Sequence, residues 1–327
     1  SLLKNMTLDE KVGQLFMVAA YSNKDSTHRN EVAGLIEKYE IGGLIFFQGG
    51  PHRQAKLTNH FQSISKVPLL IGIDAEWGLG MRLDSTISFP RQLTMGAIQD
   101  DSLIFKMGEE VAGHLKRLGI HINFAPVIDV NNNPNNPVIN DRSFGEDKIN
   151  VALKGLAYMD GMQKNKVLAC GKHFPGHGDT DKDSHYSLPV INHDYERLDS
   201  LELYPFKILI QQGLSSIMMA HLHIPELDSA ENIASSLSEK ITTGVLKDSL
   251  GFEGLIISDA LNMKGVSSFH KYGELEVKAF LAGNDILLFP GDVPKAVAGI
   301  KKAVKDSVIS EAELDNRVKK ILLAKSW

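Results

Sequence analysis

The chain alternates short apolar runs with stretches whose apolar residues recur at helical spacing. The apolar runs are about as long as a strand, and they are continuous rather than alternating, as strands buried on both faces are. There are eight of them: LFMVAA (15–20), GGLIFF (42–47), LLIGID (69–74), INFAPV (122–127), VLACGK (167–172), SSIMMAH (215–221), LIISDA (255–260) and DILLF (285–289). The pattern predicts eight buried parallel strands with helices between them.

Two of the stretches between these runs, and the stretch after the last run, carry helix signals. One helix is predicted over 101–119 and another over 198–213, which ends on Gly213 as a helix C-terminus does. Ser310 and Glu313 form the S-x-x-E pattern of a capping box before the last helix. This α/β alternation predicts a TIM-type (β/α)8 barrel, a single domain over residues 1–327. An open doubly wound sheet is the alternative, but GLGMRL (78–83) is too weak to serve as its glycine-rich phosphate loop.

A barrel predicts that the chemistry lies just after the strands, at one end of the molecule. Polar residues stand at that point in five of the eight runs. They are Asp74 after the third run, Asp129 after the fourth, Lys172 and His173 after the fifth, His221 after the sixth and Asp259 in the seventh. A charge at the end of an apolar strand is costly unless water, a partner or a ligand meets it. We therefore expect these side chains to line one pocket.

Composition excludes several classes of function. The net charge is −5 and no basic run occurs, so nucleic acid is not expected as a partner. No apolar stretch approaches the roughly 20 residues of a membrane-spanning helix. The one cysteine, Cys170, rules out an intrachain disulfide and is expected to be buried and inert. Because the chain opens on Ser1 rather than Met, a targeting segment could precede it, which slightly favours the bacterial periplasm or cell envelope over the cytoplasm.

Residues 172–189, KHFPGHGDTDKDSHYSLP, concentrate titratable side chains on a stretch too broken for a helix. Asp183 stands two residues before His185, so in an extended loop its carboxylate could accept a hydrogen bond from one imidazole nitrogen. The other nitrogen would then be left for proton transfer. In GLIISDALNMKG (254–265), Asp259 is placed to stand at the barrel mouth, although an Asp there could instead cap a helix.

Metal binding is the main alternative for the histidines. His173 and His177 have i, i+4 spacing, but Pro175 between them breaks the helix that such a pair would need. The HLH run at 221–223 resembles the paired histidines of metal-dependent amidohydrolase barrels, although that pair lies on the first strand and this one on the sixth. Neither metal ligands nor a cofactor are expected.

The motifs KHFPGHGDTDKDSH, MAHLHIPELD and GFEGLIISDALNMKGV, in this order, resemble the N-terminal barrel domain of glycoside hydrolase family 3. The resemblance is strongest to the β-N-acetylglucosaminidase branch, and it extends from MTLDEKVGQLFM (6–17) to the C-terminal helix. It implies that Asp259 is the catalytic nucleophile and that Asp183 and His185 form the general acid/base dyad on a mobile loop.

The resemblance also implies which residues bind the sugar. Lys172 and His173 would hydrogen-bond the hydroxyls of the sugar. Asp74 would hold the far side of the sugar, and Arg142 would be the arginine that pairs with Asp74. Arg82, eight positions after Asp74, would bind substrate, and His221 is expected to contact it as well. His177 would only order the loop. The family run D-x-E-G-G-R appears here as DAEWGLGMR, so Trp77 replaces a glycine and a differently shaped rim is expected.

The predicted activity is retaining hydrolysis of a terminal β-linked N-acetylglucosamine, with a small saccharide as the only partner. An imidazole acid/base carries no negative charge that would repel phosphate, so a phosphorylase using the same site is the first alternative. A metal-dependent hydrolase and a non-catalytic sugar-binding module are more remote alternatives. The natural substrate could be a peptidoglycan fragment, a chitin oligosaccharide or a host glycan, and further domains of the native protein are expected because family members often carry them.

Overall fold

The computed structural model describes residues 2–327, and within them eight strands run parallel to one another. They are β1 (Phe16–Ala20), β2 (Gly43–Phe46), β3 (Leu70–Ile73), β4 (Ile122–Asn123), β5 (Leu168–Phe174), β6 (Ser216–Met219), β7 (Leu255–Ser258) and β8 (Leu287–Leu288). Seven of the eight apolar runs contain one of these strands, and β5 begins inside the fifth run and continues two residues beyond it, to Phe174. The strands are buried along their whole length, which explains why their sequences do not alternate.

The sheet closes on itself. Neighbouring strands pair from β7 through β6, β5, β4, β3, β2 and β1 to β8. The ring is completed between β7 and the start of β8, where Ile257 bridges Ile286 and Ser258 N–H donates to the Ile286 carbonyl at 3.0 Å. The predicted TIM-type (β/α)8 barrel is therefore confirmed, and the open doubly wound sheet is excluded.

Helices surround the barrel. They are α1 (Leu8–Gln14), α2 (Ser26–Tyr39), α3 (Pro51–Ile64), α4 (Gln92–Gly96), α5 (Asp101–Arg117), α6 (Lys148–Lys164), α7 (Tyr195–Ser200), α8 (Tyr204–Gln211), α9 (Lys264–Ser267), α10 (Glu274–Ala282), α11 (Val293–Lys305) and α12 (Glu311–Lys325). A π-helical segment covers Lys240–Ser249, and short 3₁₀ turns cover Leu2–Asn5, Leu79–Met81, Asn140–Arg142 and Ser235–Leu237. None of the helices in residues 2–327 is both long enough and apolar enough to cross a bilayer.

The helix signals in the sequence are mostly confirmed. The amphipathic pattern over 101–119 forms α5, which buries Ile104, Met107, Val111 and Leu115 on one face. The capping box before α12 forms as predicted: Glu313 N–H donates to the Ser310 hydroxyl at 3.2 Å, and Ser310 N–H donates back to the Glu313 carboxylate at 3.1 Å.

The single helix predicted over 198–213 is wrong, because two short helices, α7 and α8, divide that stretch. Pro205 lies in the first turn of α8, where its missing N–H costs nothing, but it could not sit inside a longer helix. The predicted end is correct, since Gly213 follows α8 with a φ of +85°. Cys170 is fully buried in β5, and burial raises the pKa of its thiol to about 12.

Candidate active site

A cavity of about 520 Å³ opens at the carboxyl ends of the strands, where a barrel places its chemistry. Seven of the nine site residues predicted from the sequence line it: Asp74, Arg82, Arg142, Lys172, His173, His185 and Asp259. The other two, Asp183 and His221, do not. These seven residues come from the ends of four strands or the segments that follow them, β3, β4, β5 and β7, so separate parts of the sequence converge on one pocket.

Asp259 directly follows β7 and faces this cavity. Its N–H donates to the Met219 carbonyl at 2.9 Å, which continues the β6–β7 pairing and fixes the backbone at this point. Its carboxylate accepts one hydrogen bond, from Ala260 N–H at 2.8 Å, and residues 2–327 supply no other donor to it. The alternative of a helix cap is not realised, because α9 begins only at Lys264.

The charge state of Asp259 suits a nucleophile. Burial by itself would raise the pKa of this carboxyl, but charge interactions with His221 and His173 and the Ala260 hydrogen bond outweigh that effect. The pKa of Asp259 therefore lies below its usual value. A carboxylate that stays ionised and keeps an oxygen free toward the cavity can attack an electrophilic carbon.

A network of charged side chains forms the opposite part of the cavity wall. Lys172 Nζ lies 2.9 Å from Asp74 Oδ1 and 2.9 Å from Glu76 Oε1. Arg82 donates to Asp74 Oδ2 at 2.7 Å. Arg142 binds Glu76 through two hydrogen bonds of 2.7 and 3.0 Å. Two carboxylates and three cations therefore hold one another in place, with polar atoms fixed before any ligand enters.

The expected pairing of Arg142 with Asp74 is wrong. Arg142 instead forms its two-pronged ion pair with Glu76, while Asp74 pairs with Arg82 and Lys172. Glu76 is fully buried, so its charge needs close partners, and the guanidinium of Arg142 matches a carboxylate in geometry as well as charge. Sequence reasoning missed Glu76, although its position two residues after Asp74 was a signal, because such residues can turn toward the same side of an extended chain.

The network keeps its acids ionised. Burial would raise the pKa of Glu76, but Arg142 and Lys172 outweigh it and lower the pKa to about 2. For Asp74, burial is likewise opposed by Lys172 and Arg82, which hold the pKa of this carboxyl well below its usual range. The same acids raise the pKa of Lys172 against the effect of burial. These two acids and Lys172 are therefore charged near neutral pH and can orient the polar groups of a ligand.

Asp129 orients His173. This fully buried carboxylate lies 2.8 Å from His173 Nδ1, and it accepts the backbone N–H groups of His173 at 3.1 Å and His177 at 2.7 Å. With the Nδ1–H directed to Asp129, the Nε2 atom of His173 remains for the cavity. Asp129 thus supports His173 from behind and does not line the cavity, although its position after the fourth run predicts that it would.

The predicted Asp183–His185 dyad forms. His185 Nδ1 lies 2.7 Å from Asp183 Oδ1, and the same oxygen accepts the His185 backbone N–H at 2.8 Å. The loop is not extended there as expected. It makes a turn in which the N–H groups of Tyr186 and Ser187 donate to the Asp183 carbonyl at 3.1 Å, and this turn brings the two side chains together. The His185 side chain is 58% exposed and its Nε2 is left for proton transfer.

The loop that carries the dyad is attached to the barrel near its tip. Buried His177 contacts the Thr180 hydroxyl at 2.9 Å and the Ser184 hydroxyl at 3.2 Å. Lys264 N–H, shortly after Asp259, donates to the His185 carbonyl at 3.2 Å. Burial, with a further contribution from His173, lowers the pKa of His177 to about 4, so this imidazole is neutral and links the loop to the barrel as a hydrogen-bonding group.

The expectation that His221 contacts substrate is wrong. Its ring is fully buried, with Nδ1 2.7 Å from the Ser236 hydroxyl and Nε2 3.0 Å from the Ala260 carbonyl. Both nitrogens are thus used within the protein, and the ring lies behind the segment that follows Asp259. Burial lowers the pKa of His221, an effect that the charge of Asp259 partly offsets.

In both histidine pairs that were considered as metal ligands, the ring nitrogens contact different partners: His173 Nδ1 contacts Asp129, whereas His177 contacts the hydroxyls of Thr180 and Ser184. His223 Nδ1 contacts the Ile233 carbonyl at 3.1 Å, a partner unrelated to those of His221. A different group, Asp179, His193 and Glu202, offers ligand atoms within 4.8 Å of one another outside the cavity. In that group, however, His193 Nε2 bonds Asp179 at 2.6 Å and Arg197 holds Glu202, so the side chains already satisfy one another.

The apolar part of the cavity wall was not predicted. At the ends of β2, β6 and β8 it is formed by Ile45, Phe47, Met218, Leu288 and Phe289, and the loops after β3, β4 and β7 add Met81, Val138, Ala260 and Met263. Phe47 and Phe289 are the last residues of their apolar runs, and in the sequence they look like ordinary strand residues. They lie instead one position beyond β2 and β8, where their rings reach the mouth of the barrel.

Comparison with known families finds one match that covers nearly the whole chain. Residues 7–324 match the family described as "Glycosyl hydrolase family 3 N terminal domain". The chain is 38% identical over 283 residues to beta-hexosaminidase A of Pseudoalteromonas piscicida, an alignment covering 80% of this chain and 47% of that protein. It is 35% identical to the beta-hexosaminidase of Tolumonas auensis, over 84% of this chain and 82% of that protein.

Solved structures share the fold. A glycoside hydrolase family 3 beta-N-acetylglucosaminidase from Paenibacillus sp. str. FPU-7 matches with a TM-score of 0.92 at 36% identity, over 98% of this chain and 62% of that one. The beta-glucoside phosphorylase BglX matches with a TM-score of 0.94 at 26% identity, over 99% of this chain and 59% of that one. This chain thus spans about half to three fifths of the length of several of its relatives.

Proposed function

Because this chain belongs to glycosyl hydrolase family 3, we propose that its cavity removes a terminal β-linked N-acetylglucosamine from an oligosaccharide with retention of configuration. The observation that carries the proposal is the joint placement of Asp259 and His185 on one cavity whose far wall is a preformed network of charged hydrogen-bonding groups. The identity of 38% to a beta-hexosaminidase supports the choice of sugar.

In the first step, a carboxylate oxygen of Asp259 attacks the anomeric carbon as the bond to the leaving oxygen breaks. His185, protonated on both nitrogens, gives the Nε2 proton to that oxygen and becomes neutral. Asp183 holds the Nδ1–H at 2.7 Å, which keeps the ring in the orientation that points Nε2 away from the loop. The product is a glycosyl ester on Asp259.

In the second step, water attacks the anomeric carbon from the side that the leaving group vacated. His185 Nε2 accepts a proton from this water, and the bond from the carbon to Asp259 breaks. Two inversions give net retention, and the carboxylate and the protonated imidazole are restored. Asp74, Arg82, Lys172 and His173 would hold the sugar hydroxyls through both steps, because their polar atoms are already fixed by Glu76, Arg142 and Asp129.

Phosphorolysis is the second candidate, and two observations favour keeping it. A structure with a TM-score of 0.94 to this chain is that of a phosphorylase. The acid/base is an imidazole, which has no negative charge when neutral and so does not repel a phosphate acceptor. In this variant, a phosphate oxygen replaces water in the second step and the product is the sugar 1-phosphate.

Some relatives are named for activity on glucosides as well as on N-acetylglucosaminides. One is the beta-N-acetylglucosaminidase/beta-glucosidase of Cellulomonas fimi, which is 27% identical over 99% of this chain. The two sugars differ at C2, so the surroundings of that carbon must decide between them. Within N-acetylglucosaminides, a peptidoglycan fragment and a chitin oligosaccharide are the proposed substrate types.

The test is a set of rate measurements on p-nitrophenyl N-acetylglucosaminide and chitobiose, with and without phosphate. We expect free N-acetylglucosamine to be released, and Asp259→Asn to lower kcat roughly 10³-fold or more. Asp248→Asn, an exposed acid on the π-helical segment, should have no effect. Sugar 1-phosphate as the main product would favour the phosphorylase, and no turnover of either substrate would contradict both.

A further inference from the structure

The cavity has two chemically different sides. The charged network reaches it from the chain at and after the ends of β3, β4 and β5, whereas the apolar residues at strand ends come from β2, β6 and β8. Asp259, after β7, lies between β6 and β8 in the ring of strands. If the charged network holds the hydroxyls at the far end of the sugar, the anomeric carbon and its neighbour C2 lie beside Asp259 and next to the apolar side.

Phe289 has an unusual backbone. Its φ is +45°, a left-handed value that bulky residues rarely adopt and that costs about 1 kcal/mol or more. The conformation is held on both sides: Phe289 N–H donates to the Met17 carbonyl at 2.8 Å, and its carbonyl accepts from Asn262 N–H at 3.1 Å. Strain of this kind is concentrated at functional sites because it fixes a side chain where an ordinary strand would not.

The ring of Phe289 is part of an aromatic wall. Its centroid lies 5.7 Å from that of Phe47, and Phe47 stacks on Tyr21 at 5.4 Å. The guanidinium of Arg82 lies over the Phe47 ring at 5.0 Å while it donates to Asp74. The wall is therefore anchored to the charged network, so its position relative to the sugar is fixed.

Phe289 lies about one residue higher in the barrel than Asp259, because the bridge between Ile257 and Ile286 sets Leu288 level with Asp259. Phe289 and Asp259 each lie one residue beyond their strand, on neighbouring strands β8 and β7, and Leu261 N–H donates to the Leu288 carbonyl at 2.9 Å between them. Met218, the apolar residue on the other side of Asp259, pairs with Ile257, two residues below. Met218 is also only 3% exposed, whereas Phe289 is half-buried.

We propose that the ring of Phe289 receives the methyl group of the substrate's 2-acetamido substituent, and that it thereby selects N-acetylglucosaminides over glucosides. The inference rests on the proposed function and assigns a specificity-determining residue to it. An acetamido methyl against an aromatic ring loses its contact with water, whereas a glucoside presents a hydroxyl that gains nothing from that surface.

The experiment compares kcat/KM on p-nitrophenyl N-acetylglucosaminide and p-nitrophenyl glucoside for Phe289→Gly and Phe289→Asn. Both replacements tolerate the left-handed backbone, so they remove the ring without adding strain. We expect the ratio of the two kcat/KM values to fall roughly tenfold, mainly through the N-acetylglucosaminide. Phe289→Gly should also gain activity on N-butyryl glucosaminide, because the space left by the ring accepts a longer acyl chain.

Phe105→Ala is the matched control, since this ring lies on the outer helix α5 under Lys164 and should leave the ratio unchanged. Equal losses of kcat/KM on both substrates in the two Phe289 variants would show that Phe289 has only a structural role, and would overturn the inference. If the ratio of kcat/KM values changes in Met218→Ala but not in the Phe289 variants, the acetamido group contacts β6, and the inference is overturned as well. If the unmutated chain cleaves neither glycoside, the proposed function itself fails, which is a different result.

Discussion

His185 Nδ1 and Asp183 Oδ1 lie 2.7 Å apart, and the same oxygen also accepts the backbone N–H of His185. One carboxylate thus fixes both the ring and the backbone of the residue that would transfer the proton. The pair is near the tip of a loop, so its orientation depends on contacts within the loop and on the hydrogen bond from Lys264 N–H, shortly after Asp259, to the His185 carbonyl.

Asp183→Asn tests the role of that charge. The amide oxygen can still accept both hydrogen bonds, but the negative charge that stabilises the protonated imidazole is lost. We expect kcat on chitobiose to fall roughly 10²-fold or more, and to fall less on a 2,4-dinitrophenyl glycoside, whose leaving group needs little protonation. Asp181→Asn, an exposed acid on the same loop, is the control and should match the unmutated protein. Equal losses on both substrates would contradict an acid role for the dyad.

The two ends of this loop are joined by another bond. Asp179, before the dyad, and His193, after it, share a hydrogen bond of 2.6 Å, and buried Glu202 pairs with Arg197 beside them. His193→Ala should loosen the loop at its base, so we expect kcat to fall roughly tenfold while KM changes little, because the charged network that would bind the sugar is on the barrel. His52→Ala on α3 is the control. A rise in KM with kcat unchanged would contradict this assignment.

His177 predicts how stability depends on pH. Burial lowers its folded pKa to about 4, whereas an unfolded histidine titrates near 6.5. Between these values the unfolded chain binds one more proton, so the free energy of unfolding rises with pH, by about 3 kcal/mol over the window. The contribution is fully present above pH 6.5 and is lost as pH falls to 4. Denaturant unfolding of His177→Gln at several pH values should show a smaller rise of the free energy of unfolding with pH. An unchanged rise would mean that other groups cause the pH dependence.

Glu76 should matter for stability and for binding. Glu76→Gln removes a fully buried charge and leaves Arg142 without its carboxylate partner, so we expect the free energy of unfolding to fall by about 3–5 kcal/mol. KM should rise because Lys172 loses one of its two anchors. Asp84→Asn breaks the exposed pair with Arg53 and should cost less than about 1 kcal/mol. Similar losses in the two variants would contradict the account of the network.

The barrel could be predicted from the sequence because its strands are buried on both faces, so each appears as a continuous apolar run, and eight such runs recur along the chain. Asp74, Lys172, His173 and Asp259 followed from the same pattern, whereas Arg82 and Arg142 were indicated only by the family resemblance. The break between α7 and α8 was less visible, because a proline is tolerated in the first turn of a helix and the helical pattern continues across it.

Pairing inside the site could not be predicted. Arg142 reaches Glu76 across 66 positions of sequence, and nothing local distinguishes Glu76 from Asp74 as its partner. The orientation of His221 could not be predicted either, because the ring of a residue at the end of a strand could face the cavity or the protein. Its hydrogen bonds to the Ser236 hydroxyl and the Ala260 carbonyl turn the ring toward the protein. Phe289 looks like core in the sequence, because its left-handed backbone arises only from the contacts around it.

The central claim is that Asp259 forms a covalent bond to the sugar. Incubation with 2-deoxy-2-fluoro-glucosyl fluoride or an N-acetyl-compatible 5-fluoro analogue, followed by protein digestion and mass spectrometry of the peptides, tests it directly. We predict one equivalent of label on the peptide that contains Asp259, and none in Asp259→Asn. Label on another residue, or full turnover of substrate by Asp259→Asn, would contradict the account.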